Sequence, residues 1–177
     1  MRRFLDGLYL AAAALAACCV AMIAALMIAQ SLGRQLGVST GAINDIVAWL
    51  CAAAAFLSMA HAFRHGDFVR VTLVQEKLSD RTRQAIELLC LGVAAVAVGY
   101  LAYWALRFTW QSREFNELAQ GLLPIPIWWP QSMFAIGSVL LWIAILDELS
   151  GVVRGRVPTY ERLLRERHAK GDFSSDV

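Results

Sequence analysis

The chain has 177 residues, of which 59% are hydrophobic, with a formal net charge of +2 and a mean hydropathy of +0.55. Four uncharged or nearly uncharged apolar runs, at 8–28, 46–63, 86–106 and 127–146, take up about half of it, and no remaining segment is long enough to bury a core of its own. That excludes a water-soluble domain, and no nucleic-acid partner is expected.

Each run is about as long as the ~20-residue helix that crosses a hydrocarbon layer roughly 30 Å thick. The first, 8–28, is rich in Ala and Leu and carries no charge between Asp6 and Arg34. Arg2-Arg3 ahead of it and Leu15-Ala16-Ala17-Cys18 within it raise the alternative of a signal peptide with a lipidated Cys18. The run continues through Cys19 to Ile28 without a polar break, which favours an uncleaved span. The connector 30–45 holds Gly33, Gly37, Gly41 and Ser39-Thr40, the composition of a flexible turn. Asn44 or Asp45 is then placed to cap the second helix, and Trp49 falls about one turn deep, at the level of an interfacial aromatic belt.

The connector 64–78 begins Arg64-His65-Gly66, where Gly66 permits a sharp exit from the second span. Val71, Val74 and Leu78 share a helical face, with Glu76 and Lys77 off it, so a short amphipathic segment is expected in the headgroup layer. Ser79 or Asp80 starts the third helix, which passes Glu87 before entering the bilayer. It is expected to run on past the far side, because Tyr100, Tyr103, Trp104, Arg107 and Gln111 recur at helical spacing. A second connector, 111–121, carries Arg113, Glu114, Asn116 and Glu117. Pro124, Pro126 and Pro130 then bar a continuous helix, and Trp128-Trp129 mark where the fourth span enters. Residues 152–177 form a basic tail behind a single membrane domain, 1–151.

Charge placement sets the orientation. Arg2, Arg3, Arg64, Arg70, Lys77, Arg81, Arg83 and the tail cations fall on one side; Arg34, Arg107 and Arg113 fall on the other. Short Lys/Arg-rich loops stay cytoplasmic, so both termini and the 64–78 connector are expected inside, with Asp147-Glu148 at the inner end of the last span.

The middles of the spans offer only Ser58, Ser138 and the cysteines as polar groups, and we find no inverted repeat. A stand-alone transporter needs more, since a charge at the bilayer centre costs about 2.5–3.5 kcal/mol and is kept for a purpose. Haem ligation needs paired intramembrane histidines, whereas only His61 lies in a span, near its end. Quinone-coupled disulfide chemistry needs cysteines in the outer loops, whereas Cys18, Cys19, Cys51 and Cys90 all lie in spans. A zinc hydrolase needs a His/Glu ligand set that is missing. No enzyme, cofactor or metal site is expected. What the composition does supply is small-residue faces at 52–55, 92–98 and 137–138, where another helix could approach closely.

Arg64-His65-Gly66-Asp67-Phe68-Val69-Arg70-Val71-Thr72-Leu73, then Leu78-Ser79-Asp80-Arg81-Thr82-Arg83, then Leu123-Pro124-Ile125-Pro126-Ile127-Trp128, in this order on a four-helix frame, resemble the small membrane subunit of tripartite ATP-independent periplasmic (TRAP) transporters, the DctQ type. The resemblance covers about 8–151. It departs at Thr72, where members often carry an acid, and at Ile136-Gly137, where they often have Pro-Gly. It implies an all-α protein of the bacterial inner membrane. Such a protein braces a large membrane subunit that holds the solute and sodium sites, and helps dock a periplasmic solute-binding protein during import of a carboxylate-type solute. On that implication Arg113, Glu114, Glu117, Trp128 and Trp129 are candidates for docking the binding protein. Asp45, Trp49, Gly66, Arg70 and Glu87 are candidates for contacts with the large subunit or with membrane lipids. The alternative is a stand-alone four-helix protein that self-associates into an exporter or channel.

Overall fold

The computed structural model describes residues 2–37, 40–65 and 80–154. Four helices carry most of them: α1 (Arg2–Gln35), α2 (Gly41–His65), α3 (Asp80–Glu114) and α4 (Trp128–Val153). All four are long and apolar enough to cross a membrane. Each exceeds its apolar run by a turn or more, because the termini are finished by polar residues that sit beyond the hydrocarbon. At about 1.5 Å per residue the 35 residues of α3 reach roughly 52 Å, well past a bilayer core, as its polar-aromatic stripe predicts. The expected amphipathic segment, with Gly66 and Arg70, and the tail 155–177 lie outside the described residues.

The helices stand in a row, not a closed bundle. α1 packs on α2, α2 on α4 and α4 on α3, and no other pair packs extensively. The chain is thus two antiparallel helical hairpins, α1–α2 and α3–α4, joined through a parallel α2/α4 seam. α4 is the most enclosed element: 44% of its most apolar window is buried, against 17% for α2 and 11% for α1 and α3.

The seams are built from small residues. Ala12, Ala16, Ala53, Ala60 and Ala144 cluster with Tyr9, Leu57 and Leu140 where α1, α2 and α4 meet. With little hydrophobic drive between helices in lipid, close backbone approach and van der Waals contact hold them. Gly137 shows how close the approach is: a Cβ there would stand 2.6 Å from the backbone carbon and oxygen of Phe56 on α2. Between α3 and α4, Gly99 leaves room for the Trp142 indole, whose Nε1–H donates to the Ala95 carbonyl at 3.0 Å. Of the small-residue stretches expected to receive a neighbour, 137–138 is consumed within the chain. Stretch 52–55 is split, with Ala53 and Ala54 buried and Ala52 and Ala55 exposed. In 92–98 only Ala95 is buried.

Two expectations about helix ends need correction. α2 begins at Gly41, a turn before Asp45, so neither Asn44 nor Asp45 is its cap; each is held by a tertiary contact instead. The first connector is correspondingly short. α1 persists to Gln35 and stops at Gly37, whose φ of +75° a side chain would disfavour.

Candidate functional site

Polar side chains collect at the two ends of the row. At the end where α3 finishes and α4 begins, the α3–α4 loop is tied down, not free. Asn116 takes a left-handed φ of 48° and reverses the chain; the Glu117 N–H donates to Ser112 O at 3.0 Å. An antiparallel bridge then pairs Leu118 with Pro126. Ala119 N–H donates to Ile125 O at 2.9 Å and Ile127 N–H to Glu117 O at 3.0 Å. Pro130 is accommodated in the first turn of α4, where a backbone N–H would have no helical acceptor.

The five docking candidates separate on this frame. Arg113, in the last turn of α3, lays its guanidinium 5.4 Å from the Trp128 ring centroid, and Trp128 meets Trp129 edge-on at 5.8 Å. These three form one cation–aromatic cluster, with Trp129 61% exposed. Glu114 ends α3 as a neighbouring exposed carboxylate. Glu117 serves the loop instead: its carboxylate accepts from the buried Ser112 hydroxyl at 3.0 Å. The structure adds what attention to charge missed. Phe115, Leu118 and Leu122 project from the same loop as exposed apolar side chains. Their apolar character among polar neighbours was the available signal.

Asp45 takes part here too. Its Oδ2 accepts from the Leu122 N–H at 3.1 Å, Gly121 packs on its carboxylate, and Gly41 lies under the Leu122 side chain. Beside it Gln30 donates to Asn44 at 2.8 Å, linking α1 to α2. The second loop is therefore fastened over the start of α2. Replacing Asp45 with Ala removes that acceptor and should cost about 1 kcal/mol. Amide exchange of residues 117–127 should speed up by several-fold while α1 stays protected; unchanged exchange in the loop would contradict the tether. Trp49, one turn further along α2, is half-buried.

At the opposite end the sequence reading needs a larger correction. Arg64, counted there as the first charge of the connector, lies in the last turn of α2 and is only 8% exposed. Its Nη1 comes within 2.9 Å of Asp6 on α1 and its Nη2 within 3.8 Å of Asp147 on α4, and its Cζ lies 5.2 Å from the Tyr9 ring centroid. Three helices thus converge on one guanidinium. The pairing with Asp6 is close but off the hydrogen-bonding direction; Arg64 Nη1, the Tyr9 hydroxyl and Asp147 Oδ2 are buried without a hydrogen bond. Glu148, next to Asp147 near the end of α4, is only 4% exposed. Glu87 is half-buried near the start of α3.

Between the two ends, side-chain polarity is turned inward. The hydroxyls of Ser58 and Ser138 donate to carbonyls of their own helices, Ala55 and Phe134, at 3.0 and 2.8 Å. His61 stacks on His65 at 4.0 Å. Among the described residues no group of three or more His, Cys, Asp or Glu could hold a metal ion.

No curated protein matches the chain. A family model described as tripartite ATP-independent periplasmic transporters, DctQ component, matches residues 23–155. That stretch holds the last third or so of α1, all of α2, α3 and α4, and both loops at the Trp128 end. A multi-pass membrane protein with this match over most of its length belongs to the DctQ component family of TRAP transporters.

Proposed function

We propose that the chain is a non-catalytic brace in a cation-coupled importer. It fixes a large membrane subunit in the inner membrane and helps seat a periplasmic solute-binding protein. Sodium is the coupling ion and a carboxylate-bearing molecule the solute, both handled on the other polypeptides. In this reading 1–151 is one membrane domain. The Asp6–Arg64–Asp147 end, both termini and the basic tail 152–177 are cytoplasmic, and the Trp128 end is periplasmic. Arg113, Trp128 and Trp129, with exposed Phe115, Leu118 and Leu122, then provide aromatic and apolar anchors inside a polar rim that includes Glu114.

One observation carries the reading. A row of four helices exposes most of α1 and α3, and among the described residues the hydroxyls in the middles of its spans, Ser58 and Ser138, are turned onto carbonyls of their own helices. Such a body is shaped to cover and be covered, not to conduct. Purification through a tag on this chain in mild detergent should bring down a much larger membrane protein, and the chain reconstituted alone should move no solute. Solute flux through the chain by itself, or recovery of nothing but copies of itself, would overturn the proposal.

A further inference from the structure

The outer half of α3 carries an open groove of about 710 Å³ lined by Ala97, Val98, Tyr100, Leu101, Trp104 and Phe108, all from this one helix. Tyr100, Trp104 and Phe108, each four residues apart, touch in sequence with ring centroids 6.1 and 5.7 Å apart, and Ala97 leaves the floor low. Beside the lining residue Trp104, Arg107 is held in place: its Nη1 donates to the Tyr103 hydroxyl at 3.4 Å and its Cζ lies 5.2 Å from the Trp104 ring centroid. Arg107 has no carboxylate partner among the described residues.

We propose that this groove is a phospholipid site, with an acyl chain lying along the aromatic rings and the lipid phosphate on Arg107. Two features select a lipid over a protein helix. A helix needs small residues on the facing surface to come close, and here the walls are three bulky rings that would hold it off. A flexible chain can lie along them. The Arg107 guanidinium, which has no carboxylate partner among the described residues and stands in a run of Tyr and Trp of the kind that meets headgroups, matches a phosphate in charge. Arg107 then has a role other than docking, and this face of α3 is lipid-covered in the assembled protein. The inference stands apart from the transport reading, because it needs only the chain's place in a membrane.

The test is photolabelling. The protein, with whatever subunits accompany it from its membrane, is reconstituted into vesicles containing phosphatidylglycerol with a photoactivatable acyl chain, and labelled residues are mapped by mass spectrometry. Labelling should concentrate on residues 97–108. It should fall about tenfold in Ala97→Trp, which fills the floor, and severalfold in Arg107→Gln. Val93→Trp, on an exposed position outside the groove, should leave it unchanged. Even labelling along α1 and α3 would mean ordinary annular lipid and would overturn the proposal. So would an unlabelled groove in the wild-type protein, which would mean that a protein partner covers it, or equal labelling in wild type and both variants.

Discussion

Replacing Asp6 and Asp147 together with Asn will destabilise the protein by about 3 kcal/mol, and adding Arg64→Met to that variant will recover most of the loss. The asymmetry comes from where the charges sit. Arg64 is 8% exposed, whereas the Asp6 side chain is 58% and the Asp147 side chain 26% exposed. Removing the acids strands a buried cation, and breaking a buried pair from one side costs about 3–5 kcal/mol. The low end of that range applies because water reaches both acids. Replacing the whole set by neutral groups of similar volume relieves the desolvation of Arg64, and such exchanges are often neutral. The helix dipole favours Arg64, in the last turn of α2, whereas Asp6 stands just past the first turn of α1. Asp147, near the end of α4, is the least favourably placed and depends most on Arg64. Unfolding of the detergent-solubilised protein, followed for wild type, double and triple variants, reads the effect. A double variant as stable as wild type would show that the acids do not balance Arg64. A triple variant no better than the double would place the damage elsewhere.

Gly137→Ala is the second large effect, at about 1–3 kcal/mol of destabilisation. The new methyl would lie 2.6 Å from the carbonyl carbon and oxygen of Phe56 and 2.8 Å from its Cβ. Two of those atoms are backbone, so no rotamer change relieves the clash, and α2 and α4 must move apart. Separation along this seam also loosens the Phe56–Phe134 ring pair, 4.2 Å apart, and shifts Asp147 relative to Arg64. Gly92→Ala is the matched control, since nothing lies within 4 Å of its added carbon. That substitution should be neutral or slightly stabilising, because Ala suits a helix interior better than Gly. Equal stability of the two variants would show that the α2/α4 seam can open without cost.

Arg64 and Asp45 show why part of the site was hidden in the sequence. A basic residue one position before His65-Gly66 reads as a loop charge by every local rule, and Asp45 ahead of an apolar run reads as a helix cap. Both readings fail for one reason: the partner lies far along the chain. Asp45 meets Leu122, 77 residues away, and Arg64 meets Asp6 and Asp147. Trp128 and Trp129, by contrast, were legible as the start of the last helix, because the feature that placed them, an apolar run behind a proline-rich segment, is adjacent to them. Arg113 was legible as a charge in the connector ahead of that helix, but not as the cation resting on Trp128.

By itself the sequence determined the four spans, their approximate ends and the family. Burying backbone polar groups in hydrocarbon requires a helix wherever some twenty apolar residues run together, and that requirement is met without reference to any neighbour. Tertiary structure alone decided the order α1–α2–α4–α3, the burial of Arg64, and which glycines stand at contacts. Lipid is as apolar as a neighbouring helix, so the side chains of a span need not differ between a face that packs and a face that does not. Only the assembled row shows which is which.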